Sequence, residues 1–132
     1  MAIFQVATNN PPKSEIIAGW IVDQPWGPAA GEPIDVVGSF HLEDPEGQVG
    51  MQVHIVSSAG VLFQVPLTYR DQRLPLLEEA FVCAMEHSVL GTRHVYDGLC
   101  DSQFLSALAG VAACGYGQTL GFAQVDGRWQ AW

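Results

Sequence analysis

The strongest constraint on this chain is its middle third, where three runs of strand-like sequence are separated by short turn signals. Val36 to Leu42 reads as a first strand. Glu43-Asp44-Pro45-Glu46-Gly47-Gln48 has Pro and Gly where a tight turn wants them. Val49, Met51, Val53 and Ile55 then alternate with Gly50, Gln52, His54 and Val56, the period of a half-buried strand. Ser57 to Gly60 turns the chain, and Val61, Phe63, Val65 and Leu67 follow as inward positions, with Gln64 and Thr68 outward. Connections this short permit only antiparallel neighbours, so the middle is a three-strand meander. Pro66 has no N–H for a ladder, so its strand is an edge or is bulged there.

The flanks add mixed structure. Ile3 to Ala7 reads as a strand broken by Asn9-Asn10-Pro11-Pro12, and Ser14 can cap a short helix over Glu15 to Trp20. Residues 23–33 hold three Pro and two Gly and form a loop around Trp26. Leu74 to Glu79 fits one helical turn. Phe81 to Val89 and Arg93 to Tyr96 read as a hairpin about Gly91-Thr92. Asp101 is a good N-cap for a helix to Cys114 with Phe104, Leu105, Leu108, Val111 and Ala112 on one face, and Gly115 suits its C-terminal end. Thr119 to Val125 and Arg128 to Trp132 make a last hairpin about Asp126-Gly127. Without repeat or linker, residues 1–132 form a single α+β domain: a curved antiparallel β-sheet with a packed helix. Val53, Ile55, Phe63, Val65, Leu105 and Leu108 are expected to be buried together.

Charge narrows the partners. Five bases face 14 acids, for a net charge of −9, and only Lys13 is basic through Tyr69. Nucleic acid and anionic membrane need clustered Lys and Arg and are excluded as expected partners. No run approaches the length of a membrane span, and no basic n-region with a long apolar run opens the chain. Cys83, Cys100 and Cys114 are an odd set without CxxC spacing, so three reduced thiols in the cytoplasm are expected.

Candidate chemistry concentrates after residue 65. Arg70, Glu86, His87, Tyr96 and Asp97 form a candidate polar cluster, either structural or binding. Glu86-His87-Ser88 lacks nucleophilic geometry, because consecutive strand residues point to opposite faces. A hydrogen-bonded network fixing the sheet is the expectation, with one lost member costing on the order of 3–5 kcal/mol. His41 and His54 sit on adjacent strands, with His54 on the polar face, but no metal-ligand spacing is present, so no metal or other cofactor is expected. Trp26, Trp129 and Trp132 are candidate sugar-stacking residues, against the plainer reading of Trp as core and rim material.

Residues from about Ile16 to Ala109 resemble the N-terminal cap domain of actinobacterial maltokinases, and stand-alone proteins built from that cap. The motifs are Val37 to Gly50 with its Asp44-Pro45-Glu46-Gly47 turn, Val65 to Arg70, Met85 to Gly91, and Val95 to Gly98. The family usually carries Trp at the position of His94 and Asp-Pro at Asp101-Ser102. The resemblance implies a cystatin-like fold. Maltokinases phosphorylate maltose with ATP in the trehalose-to-glycogen route, and their catalytic residues lie in a kinase-like body that this chain is expected not to contain. The implied function is a non-catalytic accessory module whose partner is a protein of α-glucan, maltose or trehalose metabolism. Some stand-alone relatives are labelled glucan-branching proteins. Branching needs a carboxylate pair on a larger scaffold, so that label is not carried over. The alternatives are a carbohydrate-binding domain using the Trp residues, or a small enzyme using Glu86, His87 and Asp97. Self-association stays open.

Overall fold

The computed structural model describes residues 8–114, 122–125 and 128–131, with side chains for 8–113. The expected strand at Ile3–Ala7, the Gly115 cap, the Asp126-Gly127 turn and Trp132 lie outside them. In chain order the elements are β1 (Asn9–Asn10), α1 (Lys13–Ile21), β2 (Asp35–Leu42), β3 (Gly50–Ser58) and β4 (Val61–Arg70). A 3-10 segment (Pro75–Ala80), β5 (Phe81–His87), β6 (Gly91–Asp97) and a 3-10 turn (Gly98–Cys100) follow. The chain continues through α2 (Ser102–Cys114), β7 (Phe122–Val125) and β8 (Arg128–Ala131).

The strands make one curled antiparallel sheet in the order β1-β5-β6-β4-β3-β2-β7-β8. With its packed C-terminal helix, the architecture is α+β and compatible with a cystatin-like arrangement. The meander forms as the alternation dictates, with β3 paired to β4 from Gly50–Tyr69 to Ser58–Val61. Ala59 and Gly60 turn between them, both at positive φ (50° and 78°), the sense that suits a two-residue hairpin. After β4 the chain passes over one strand position to form β5, and β6 returns to fill the gap. β6 pairs with β4 only over Leu67–Arg70. Pro66 therefore falls on the stretch of β4 left unpaired by β6, which is the edge its missing N–H requires.

Both faces of the sheet are covered, and this corrects the half-buried reading of β3. On one face Ile16, Ile17 and Ile21 of α1 pack on Val56, Val65, Leu67, Tyr69, Met85 and Val95. On the other, Phe104 of α2 packs on Leu42, Met51 and Val53. Val53 and Val65 thus belong to different clusters, with Ile55 beside the first and Phe63 beside the second. Thr68, expected outward, is fully buried. His54, expected on an exposed face, is 3% exposed, with its Nε2 2.8 Å from the Tyr69 hydroxyl on the face that α1 packs against.

Other boundaries shift for local reasons. α1 begins at Lys13 with Pro12 as its N-cap, and no side chain caps it, so Ser14 has no capping role. Asn9–Asn10 adds a short edge strand to β5 rather than only breaking the chain. The β5–β6 turn uses Ser88 to Leu90, and Gly91 takes φ 77° as the first residue of β6. α2 buries Phe104 and packs Ala107 and Val111 against the sheet. Leu105 and Leu108 stay 45% and 38% exposed, because the inward stripe runs through 104, 107 and 111.

Candidate functional site

The five candidates Arg70, Glu86, His87, Tyr96 and Asp97 do not hydrogen-bond to one another among the described residues. Arg70 donates from Nε and Nη2 to the two carboxylate oxygens of Asp101, both at 2.8 Å. Glu86 Oε1 accepts from Thr92 Oγ1 on the exposed β5–β6 hairpin. His87 Nδ1 accepts the backbone N–H groups of Val89 and Leu90 at 3.1 and 3.0 Å, so its ring proton lies on Nε2. The buried Tyr96 hydroxyl accepts the Leu74 N–H at 2.7 Å. Asp97 Oδ1 accepts the Leu99 N–H and caps the 3-10 turn. Strand alternation puts His87 on the α1 side of the sheet and Glu86 on the α2 side, so Glu86, His87 and Asp97 do not meet as an acid–base set.

Two polar constellations emerge instead. The first lies on the α2 side. Asp101, fully buried, accepts from Thr68 Oγ1 (2.8 Å), from Arg70, and from the Gln103 N–H (3.0 Å). Burial alone would raise its pKa, but the bonds from Arg70, Thr68 and Gln103 hold the carboxyl below the usual carboxylate range. Beside it a recess of about 390 Å³ is lined by Leu74, Leu76, Leu77 and Cys100. Leu76 is 99% exposed, and Leu99 next to Cys100 is also exposed. The second helix's other edge is tied down by Asp44. Its carboxylate accepts the N–H groups of Glu46, Gln48 and Val49 and a bond from Gln103 Nε2.

The second constellation lies on the α1 side, and the sequence reading missed it. Lys13 precedes Ile16 and Ile17 by three and four residues, so it shares their inward helix face. Its Nζ donates to Gln52 Oε1 at 3.0 Å and sits 4.8 Å from the Tyr69 ring centre. Gln52 Nε2 donates to Ser39 Oγ at 3.2 Å and lies 3.4 Å from His41 Nε2. His54 Nε2 and the Tyr69 hydroxyl are 2.8 Å apart. Arg93 Nη2 donates to the Tyr69 carbonyl at 2.9 Å. Lys13, His41, Tyr69, His87 and Arg93 line a recess of about 110 Å³. Burial first, then the charges of Lys13 and His41, push His54 down to about 3. Burial likewise raises Tyr69 above its ordinary range and lowers Lys13. The helical spacing of Lys13 and the shared parity of Gln52, His54 and Val56 were the signals that pointed here.

His41 faces Gln52 and His54 faces Ser39, so the two histidines are diagonal rather than directly opposed neighbours. Among the described residues no group of three His, Cys, Asp or Glu side chains converges as a metal site. Cys83 and Cys100 are free, while the Cys114 side chain lies outside the description. Trp26 stands edge-on to Trp20 with ring centres 5.9 Å apart and tilts on Phe63 at 6.4 Å, leaving it 43% exposed. The side chain of Trp129 on β8 and all of Trp132 lie outside the description. No helix among the described residues is long and apolar enough to cross a membrane.

No curated protein and no solved structure matches the chain. A family model does, over residues 20–101, from the last turn of α1 through the meander and β6 to Asp101. That span holds the sheet core, the Asp44 turn and both partners of the Arg70–Asp101 pair, and it covers more than half of the 132 residues. The chain belongs to the maltokinase N-terminal cap domain family.

Proposed function

We propose that this chain is a non-catalytic accessory module that docks onto a protein of maltose, α-glucan or trehalose metabolism in the cytoplasm. The observation that carries the reading is the apolar end around Leu76 and Leu99. Leu76, 99% exposed, lines a recess of about 390 Å³ backed by the Arg70–Asp101 pair, and the exposed Leu99 adjoins its lining residue Cys100. Apolar residues grouped on a rigid, ion-paired end suit a protein contact better than open solvent. Family membership supplies the class of partner, because the family's name ties this domain to maltokinases. The net charge of −9 favours a partner with a basic surface. The free thiols of Cys83 and Cys100 suit a reducing compartment.

The test uses a maltokinase catalytic body prepared without its own cap. Isothermal titration should detect a complex with this chain. Leu76→Asp with Leu99→Asp should abolish it while circular dichroism stays unchanged. A complex indifferent to both substitutions would remove the proposed surface, and absence of a complex would remove the partner class.

A second reading, carbohydrate binding, has one favouring observation: Trp26 exposes part of its ring while Trp20 and Phe63 hold it in place. Maltose or maltotriose should then quench tryptophan fluorescence saturably, and Trp26→Ala should abolish the effect. An unchanged signal eliminates Trp26 as a sugar platform.

A further inference from the structure

We infer that the recess between Lys13 and Arg93 binds a small oxyanion of the phosphate class. The side chains of Lys13, Arg70, Arg73 and Arg93 are described. Arg70 pairs with Asp101 and Arg73 with Glu78. Lys13 and Arg93 have no carboxylate partner among the described residues, in a chain where 14 acids outnumber five bases. Their bonds go to neutral acceptors, the Gln52 side-chain oxygen and the Tyr69 carbonyl. Buried cations are normally paired, because removing them from water is costly. Two unpaired cations converging on one recess leave a positive site for a mobile anion to complete.

The recess fits that ligand in size and walls. Its volume is about 110 Å³. At roughly 30 Å³ per water of liquid, the space takes a few waters or one tetrahedral oxyanion. Met85 and Leu90 contribute apolar wall, which strengthens each charge interaction inside. Lys13 is also the first residue of the nine-residue α1, so the positive end of that helix adds to the potential. His41 and His87 complete the lining. The site lies on the α1 side of the sheet, away from the leucine-rich docking end, and stands independently of it.

The phosphate group has two sources, free inorganic phosphate or the end of a phosphate ester, and the assay separates them. Sodium phosphate, glucose 1-phosphate and sodium chloride at matched ionic strength are titrated into the full chain, with heat and melting temperature as readouts. Phosphate or the ester should bind saturably and raise the melting temperature, and chloride should not. A tighter ester assigns the site to the phosphoryl end of a larger ligand. A tighter or equal phosphate assigns it to the free anion. Lys13→Met should weaken binding at least about tenfold through loss of a charge-assisted bond. The fold should survive, since the packing of α1 rests on Ile16, Ile17 and Ile21. Arg73→Gln, a cation lost outside the recess, should bind as the parent does. No saturable binding of either probe at millimolar concentration, an equal effect of chloride, or undiminished binding by Lys13→Met would overturn the inference.

Discussion

Arg70, the last residue of β4, grips the buried carboxylate of Asp101 with two parallel 2.8 Å hydrogen bonds, one to each oxygen. Asp101 stands immediately before α2, and its Oδ1 also accepts the Gln103 N–H. One side chain therefore closes the ion pair, caps the helix and, through Thr68 Oγ1, locks that helix to the sheet. Every oxygen lone pair that matters is engaged, the condition under which a buried ion pair is tolerated.

Replacing Asp101 should be among the most damaging changes in the protein. Asp101→Ala strands the buried Thr68 hydroxyl and the Arg70 guanidinium. The expected loss is on the order of 3–5 kcal/mol, of which about 1 belongs to the cap. Arg70→Ala leaves the carboxylate buried without its charge partner and should cost a similar amount. Urea unfolding of both single variants and the double variant checks this: the double should fall well short of the sum. Strict additivity would mean the pair contributes no coupling.

Glu86 and Asp97 should behave differently, although the sequence placed them in one buried network. Glu86 is exposed and bonds only Thr92 on the hairpin, so Glu86→Ala should cost less than about 1 kcal/mol. Asp97 caps a 3-10 turn, so Asp97→Ala should cost about 1 kcal/mol. A loss of several kcal/mol at Glu86, read by the same urea assay, would restore the network.

The contrast between these carboxylates shows what the sequence made legible. The meander was readable because alternation and turn residues are local properties of β2 to β4. Asp101 was readable as a cap because capping is also local. Its partner Arg70 lies 31 residues away. Their meeting depends on the β4–β5 crossover, which no local pattern encodes. The same limit hid the recess. Lys13 and Arg93 belong to elements joined only through the sheet, and the parity of His54 revealed burial only once α1 was known to cover that face. The stripe on α2 was misjudged by a rotation. Leu105 and Leu108 are more apolar than Ala107, but the helix turns Ala107 inward to approach the sheet closely.

Gly27 should be irreplaceable. A Cβ there would stand 1.9 Å from the Ile21 carbonyl oxygen and 3.3 Å from that of Gln24. The chain folds back tightly after α1, with the Gly27 N–H bonded to the Gln24 carbonyl, and this return seats Trp26 against Trp20 and Phe63. Backbone must move to admit any side chain, so Gly27→Ala should cost about 1–3 kcal/mol and increase the exposure of Trp26. A lower melting temperature with a red-shifted tryptophan emission is expected. An unchanged melt and spectrum would show that the turn has slack.

Acid sensitivity should begin in the histidine range, ahead of the carboxylates. His54, buried against Tyr69 and close to Lys13 and His41, is held down to about 3 from its ordinary 6.5. Between those values the unfolded chain takes up a proton that the folded chain refuses, so stability falls as pH drops below 6.5. His41, lowered by burial and by Lys13, acts in the same direction. At about 1.4 kcal/mol per unit, going from pH 6.5 to 4.5 should remove roughly 2–3 kcal/mol through His54 alone. Asp101 and Asp44 have folded pKa values depressed below the usual carboxylate range, so their contributions are present above that range and lost only at lower pH. The two windows are separable. Melting temperature followed from pH 7 to about 3 should decline in the parent. His54→Gln, which cannot take up the proton in either state, should make the decline in that window shallower, leaving the share of His41, while keeping the carboxylate-driven drop below about pH 4. A decline that His54→Gln leaves untouched would place the proton uptake elsewhere and show that His54 is not held neutral by its burial.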